Sequence, residues 1–325
     1  MSKFNHLFTR SFSRATCNRF ATKYPKRTPL AEKTASEEIE YVYGISSVSA
    51  ALYSKKRSKL EAIYFQESTE KKTTKKKDKA VIDSIVKAAK ESTIRVIYTN
   101  KGQLNSLTQD KPHQGIVLKA SPRKMIEISS LSALTDKKAY EALIKRNKDD
   151  IDVPASAFKF QIKPNRRFPF WIALDEVQDP QNFGSILRTA HFFGVDGVLV
   201  CSKNSAPLSP TVSKVSSGAM EIMDVFSTKN LLSFLKESNE NGWDIVGAAA
   251  GAELDCFETE VEIKPTILVL GNEGVGLRTN IKNACNRFTS IPSALENQYN
   301  GSVDSLNVGV ATGVLTYSLI NKLAC

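Results

Sequence analysis

Soft metal ligands are scarce in this chain. Its five cysteines, Cys17, Cys201, Cys256, Cys285 and Cys325, lie far apart with no C-x-x-C pair, and only three histidines accompany them. That spacing excludes a zinc cluster and a disulfide framework, and no metal is expected. Long apolar runs are also missing. The most apolar stretch, Leu306 to Ile320, is broken by Asn307, Thr312, Thr316 and Ser318 and falls short of the ~20 residues a membrane-spanning helix needs. No membrane partner is expected, and a soluble protein is. Acids are outnumbered by bases, 34 to 45, which leaves a formal charge of +11 on 325 residues. A surface of that sign draws polyanions such as nucleic acid, although charge alone does not choose among basic proteins. With 41% hydrophobic residues, the chain is long enough for two domains with a sizeable core.

No acid precedes Glu32, while Lys3, Arg10, Arg14, Arg19, Lys23, Lys26 and Arg27 stand among Ser and Thr. Phe4, Leu7, Phe8 and Phe12 could form the apolar side of a helix, so residues 1–37 read as a mitochondrial transit peptide or, failing that, a disordered basic arm that touches RNA. From Glu38 to Ala120, short β-type runs (Tyr41–Tyr43, Leu60–Phe65, Thr93–Tyr98, Gly115–Lys119) surround a helical pattern at Lys79–Lys90, which predicts a small α/β domain over 38–122. The run Lys71–Lys77 between strand and helix is either a solvated loop or a phosphate contact. Residues 123–167 lack a clear strand pattern and end in the basic segment Lys163–Arg167, so they read as a linker or insertion. Over 168–325, apolar runs of strand length (Trp171–Val177, Gly197–Cys201, Ile245–Ala250, Thr266–Leu270) alternate with helical segments such as Ser185–Phe193 and Lys229–Ser238. Continuous apolar strands predict a buried parallel sheet, and ligands of such sheets bind beyond the strands' carboxyl ends.

Three motifs stand out, two that follow strands and a third that opens a long C-terminal helix. In Asp175-Glu176-Val177-Gln178-Asp179-Pro180-Gln181-Asn182-Phe183-Gly184-Ser185-Ile186-Leu187-Arg188, a helix is expected to begin near Gly184, with Asn182 at its entry and Arg188 the one cation on a mostly apolar helix. By themselves these could be a cap and a structural ion pair. His191, on the same helix, sits among Ala190, Phe192 and Phe193 and is expected to pack rather than act as a base. In Leu270-Gly271-Asn272-Glu273-Gly274-Val275-Gly276-Leu277, a strand runs into a glycine-rich turn whose backbone can approach a ligand. Leu277-Arg278 stands where a phosphate-binding loop needs Lys and Ser or Thr, and no G-x-G-x-x-G follows a strand, so triphosphate hydrolysis and an ordinary dinucleotide fold are excluded. In Ser305-Leu306-Asn307-Val308-Gly309-Val310-Ala311-Thr312-Gly313, Ser305 suits a helix cap and the small residues permit close packing.

In this order and spacing the motifs resemble those of the SpoU/TrmH (SPOUT) family of RNA ribose methyltransferases, whose N-x-G-x-x-x-R is matched by Asn182, Gly184 and Arg188. The resemblance covers about 168–323, and Tyr43–Leu52 with His113–Ile116 resemble the start and end of the small RNA-binding domain found ahead of the catalytic one. It implies an α/β catalytic domain with a parallel sheet and a C-terminal trefoil knot, S-adenosylmethionine as cofactor, and a homodimer. It also implies methylation of a ribose 2′-hydroxyl, guanosine by preference. With the transit-like leader, the implied substrate is mitochondrial large-subunit ribosomal RNA and the implied location the matrix. The alternatives are a transfer-RNA ribose methyltransferase and a catalytically silent RNA-binding assembly factor. Gly271, Ile291 and Leu306 are implied to line the cofactor site, and Asn182, Arg188, Glu273, Ser305 and Asn307 to form the catalytic group. Arg188 would be either a perturbed base or a cation that stabilises the developing alkoxide, since a guanidinium rarely gives up its proton. Gly309 and Thr312 replace the family's usual Ser and Ala, and Ala294–Asn300 looks inserted.

Overall fold

The computed structural model describes residues 38–67, 76–135, 139–144, 157–162, 168–252, 254–258, 264–293 and 305–322. The leader, most of Lys71–Lys77, the segment Lys163–Arg167 and the stretch 294–304 on which a knot would depend lie outside them.

The N-terminal domain is a four-stranded sheet ordered β1-β4-β2-β3, from β1 (Glu40–Tyr43), β2 (Leu60–Gln66), β3 (Arg95–Thr99) and β4 (Ile116–Ala120). Helices α1 (Ile45–Ser54) and α2 (Lys76–Glu91) cover one face, where Val42, Ile63, Phe65 and Leu118 meet Val48, Ile82 and Ile85. Helix α3 (Lys101–Thr108) sets Leu104 against Tyr43 and Val117 on the other. Its start is capped by Asn100, whose Oδ1 accepts from the Gln103 amide at 2.9 Å.

The second sheet has the order β13-β11-β12-β8-β9-β10-β5-β6-β7 among the described residues. Strands β8 (Phe170–Leu174), β9 (Gly197–Cys201), β10 (Val225–Thr228), β11 (Asp244–Ala248), β12 (Thr266–Leu270) and β13 (Arg287–Thr289) pair in parallel. The central ones are buried on both faces, hence their continuous apolar sequence. Helices α4 (Pro180–Phe192), α5 (Pro210–Val215), α6 (Ala219–Ile222) and α9 (Val308–Lys322) lie on the face carrying Ile172, Leu174 and Val198. Helices α7 (Leu231–Glu240) and α8 (Thr279–Lys282) lie on the Trp171 face. A Cβ on Gly197 would come 2.5 Å from the Trp171 ring, so only glycine lets the indole lie across β9.

The stretch read as a linker or insertion without a clear strand pattern does carry strands, which corrects that part of the reading. It contributes β5 (Ile126–Leu131), parallel to β10, then β6 (Ala139–Ile144) and β7 (Ala157–Gln161), paired antiparallel. Tyr140 and Phe160 stack at 5.0 Å, Phe160 meets Trp171 edge-on at 5.5 Å, and the Trp171 indole donates to the Tyr140 hydroxyl at 2.9 Å. These alternating aromatics hold the strands to the sheet, and their period of two was present in Phe158-Lys159-Phe160.

Candidate active site

The C-terminal end of β8 leads through Asp175 and Glu176 into α4. The helix starts earlier than the sequence suggested, at Pro180, because Asp179 caps it by accepting from the Gln181 amide at 2.9 Å with Pro180 at the first helical position. Asn182 is therefore not the cap. It lies inside the first turn, nearly buried at 6% exposure. Ile186, Leu187 and Ala190 face the core as expected.

After β12 the chain closes a tight loop in which Asn272 and Gly276 exchange backbone hydrogen bonds of 3.1 and 2.8 Å. A Cβ on Gly271 would fall 2.3 Å from the Gly276 carbonyl carbon, so the closed loop itself requires glycine there. Asn272 Oδ1 accepts from the Gly274 amide, and its Nδ2 donates to the Glu176 carbonyl at 3.0 Å. Arg278 donates from Nε to buried Asp175 at 2.9 Å and lies 3.2 Å from Glu176. These bonds lock the first motif's loop to the second, and the Asp175 bond holds the Arg278 guanidinium above its ordinary pKa. No sequence pattern singled out Arg278 for this; its partner lies 103 residues away.

The third motif enters α9 at Val308. Asn307, not Ser305, caps the helix, with Oδ1 accepting from the Gly309 and Val310 amides at 2.9 and 3.4 Å. Ser305 is exposed two residues earlier. Gly309 lets α9 touch α4, since a Cβ there would come 2.8 Å from Ser185 Oγ.

Asn182 joins all three motifs. Its Nδ2 donates to Glu273 Oε1, and its Oδ1 accepts from Asn307 Nδ2 at 2.8 Å. A buried amide fixed at both ends holds one exposed carboxylate and one exposed carboxamide at the strand ends. Arg188 is exposed and has no ion pair among the described residues, so the structural ion pair weighed for it is not formed there. His191 is also exposed, correcting the expectation that it packs: Arg188, His191 and Phe192 share the side of α4 turned from the sheet, and Phe192 is 81% exposed. Of the residues expected around a cofactor, Gly271 and Leu306 are brought near Asn182 through Glu273 and Asn307. Ile291 lies after β13, at the same end of the sheet but two strands from β12, half-buried against the core. An open cavity of about 440 Å³ lies elsewhere, between the loop 249–252 and β13, and none of the expected residues lines it.

Residues 169–317 match the model of the SpoU rRNA Methylase family, and residues 41–125 the model described as RNA 2′-O ribose methyltransferase substrate binding. A Schizosaccharomyces pombe protein named rRNA methyltransferase 1, mitochondrial, is 35% identical over 298 residues, 88% of this chain and 91% of that protein. A Dictyostelium discoideum protein of the same name is 36% identical over 76% of this chain, which spans 46% of that longer relative. The crystal structure of an AdoMet-bound rRNA methyltransferase from Sinorhizobium meliloti superposes with a TM-score of 0.60 at 19% identity, covering 88% of each chain, and shares the fold. The chain belongs to the SpoU rRNA methylase family.

Proposed function

We infer that the chain is an S-adenosylmethionine-dependent methyltransferase that modifies the 2′-hydroxyl of a ribose, by preference a guanosine ribose, in mitochondrial large-subunit ribosomal RNA. The observation that carries this reading is the Glu273–Asn182–Asn307 chain of hydrogen bonds, which gathers the three motifs at the carboxyl ends of β8 and β12. The names of the yeast and slime-mould relatives supply the ribosomal and mitochondrial part.

The residues present fit the cofactor. Leu306 leaves an apolar side chain 51% exposed beside the Asn307 cap, and Gly271 offers backbone without a side chain, which suits a purine and ribose. Gly271, Leu306 and Ile291 would hold it. When bound it supplies an electrophilic methyl group on a sulfonium. The chain's own residues align the ribose and ease loss of its proton. Asn182 holds Glu273 and Asn307 in place for the ribose, while Ser305 supports the turn ahead of Asn307. Arg188 acts as a cation that stabilises the developing alkoxide: a guanidinium rarely gives up its proton, and this one has no ion pair among the described residues.

The enzyme works as a homodimer in the matrix, with residues 1–37 as its transit peptide. Phe192, Val310 and Tyr317, exposed by 81%, 54% and 58% on neighbouring helices α4 and α9, support a second copy against that face. The test is transfer of labelled methyl from S-adenosylmethionine to unmodified mitochondrial large-subunit rRNA, with nuclease mapping of the product. Label at one ribose is expected. Label on transfer RNA alone, or cofactor binding with no label on either RNA, overturns the assignment.

A further inference from the structure

The N-terminal domain docks on α5 and α6 through two differently built ends of one joint. At one end the basic side chains have partners, Arg123 Nε alone being left buried without one: Lys56 meets Asp224, Arg57 meets Glu221 and Glu40, and Arg123 donates from its two terminal nitrogens to the carbonyls of Lys56 and Met223. At the other end cations gather without acids. Lys111 Nζ donates to Thr211 Oγ1 at 3.0 Å, and Lys214 Nζ donates to Gln114 Oε1, so each domain contributes a lysine that is held by a neutral group of the other. Burial, and after it the charges of Lys101 and Lys214, hold His113 of the same end below its ordinary pKa. Lys101, Lys111 and Lys214 form no ion pair with any carboxylate among the described residues.

Half-buried, uncompensated ammonium groups are costly to hold, and burial pushes Lys214 below the ordinary lysine range. The fold nonetheless makes room for this one. Gly44 leaves space beside it, since a Cβ there would lie 2.5 Å from Lys214 Nζ, and the φ of +94° is what favours glycine at this position. The cluster also adjoins the catalytic helix: Lys214 is on α5, whose Val215 would be 2.6 Å from a Cβ on Gly184, two residues after Asn182.

We propose that Lys111 and Lys214, with Thr211 and Gln114, form a two-domain site for a backbone phosphate of the RNA, one helix from the methylated ribose. The proposal rests on the reading of this chain as an RNA methyltransferase. Lysine donors and neutral hydrogen-bonding side chains converging without a carboxylate suit a phosphate diester, which positions a strand without reading its sequence. Substrate bound here bridges both domains, so the small domain acts as one wall of the substrate site.

The test uses the full chain and a fragment of large-subunit rRNA. RNA affinity is measured across a salt series for the unsubstituted chain, Lys111→Gln, Lys214→Gln and the double variant, with cofactor affinity and thermal unfolding as controls. Each substitution is expected to flatten log K against log salt by about 0.7 for a single-stranded contact. The double variant should raise the RNA KM about tenfold or more, with cofactor affinity unchanged. The exposed Lys111 variant keeps the test valid if the half-buried position affects folding. Unchanged salt slopes together with normal methylation would sink the site and leave the enzyme assignment standing. Slopes that fall with the lysines in a chain that methylates no RNA would do the reverse.

Discussion

Arg57 and Glu221 meet with both side chains fully buried, paired through two nitrogens at 2.9 and 2.8 Å, with Ser213 Oγ donating to Glu221 at 2.7 Å and Glu40 taking the remaining nitrogen. Glu273 and Asn307 also lie far apart in sequence and share one partner, Asn182, yet both are exposed. The first network spends nearly all its donors and acceptors internally and has no valence left for a ligand; its effect is to fix how the domains dock. The second leaves a carboxylate oxygen and the turn ahead of α9 facing solvent. The difference separates positioning from chemistry: saturation marks a joint, and a rigid support under unsaturated groups marks a site.

Breaking the saturated network carries the largest expected effect. Arg57→Met leaves the Glu221 carboxylate buried without its cation, which costs about 3–5 kcal/mol, seen as a lowered denaturant midpoint and loss of methylation. Arg57→Met with Glu221→Met should recover most of that stability, because the desolvation of both charges disappears together; a double variant as unstable as the single would show that the pair does more than satisfy itself. Next comes Arg188→Ala, which should lower methyl transfer by about 10²–10³-fold, as loss of a transition-state charge stabiliser does, with the unfolding midpoint unchanged. Near-normal turnover would remove arginine from the mechanism. Asn182→Ala and Glu273→Ala should each reduce turnover, and the double variant should fall short of their sum by about 0.5–3 kcal/mol of coupling; strict additivity would mean that their hydrogen bond does not serve catalysis.

The smallest effect sharpens the contrast between the two ends of the joint. Burial, with Lys101 and Lys214 nearby, holds His113 below its ordinary pKa of 6.5. As pH falls, the unfolded chain takes up this proton first, so the stability His113 contributes is complete above that value and is lost as pH falls from it through the lower folded value. Glu40, raised by burial, acts in the opposite direction. The comparison is therefore between the native chain and His113→Gln across that window, where the native chain should lose more stability. Parallel profiles would exclude His113 as the source.

Local order was largely legible because it arises from local causes. The apolar runs around Trp171, Gly197 and Thr266 are strands, the first two motifs follow the ends of β8 and β12, and the third opens the C-terminal helix as expected. Asn182, Glu273 and Asn307 were identifiable only as members of a resemblance, since nothing in spacing says that one amide bridges the other two. The strands β5, β6 and β7 were missed because their apolar positions alternate with charged ones and sit between segments rich in Lys and Asp, a weaker signal than a continuous apolar run.

The sequence by itself determined the alternation of elements, the glycines at tight turns and the overall positive charge, all of which depend on neighbours a few residues apart. Only the tertiary structure decided which of those residues act together. Asn182 meets partners 91 and 125 residues away, Arg57 pairs across 164, and Lys111 reaches Thr211 across 100. Such pairings are set by the order in which strands enter the sheet and by the helix against which the small domain docks. Periodicity carries no trace of either choice, because the free energy that selects them comes from burying whole faces rather than from any single segment's preference.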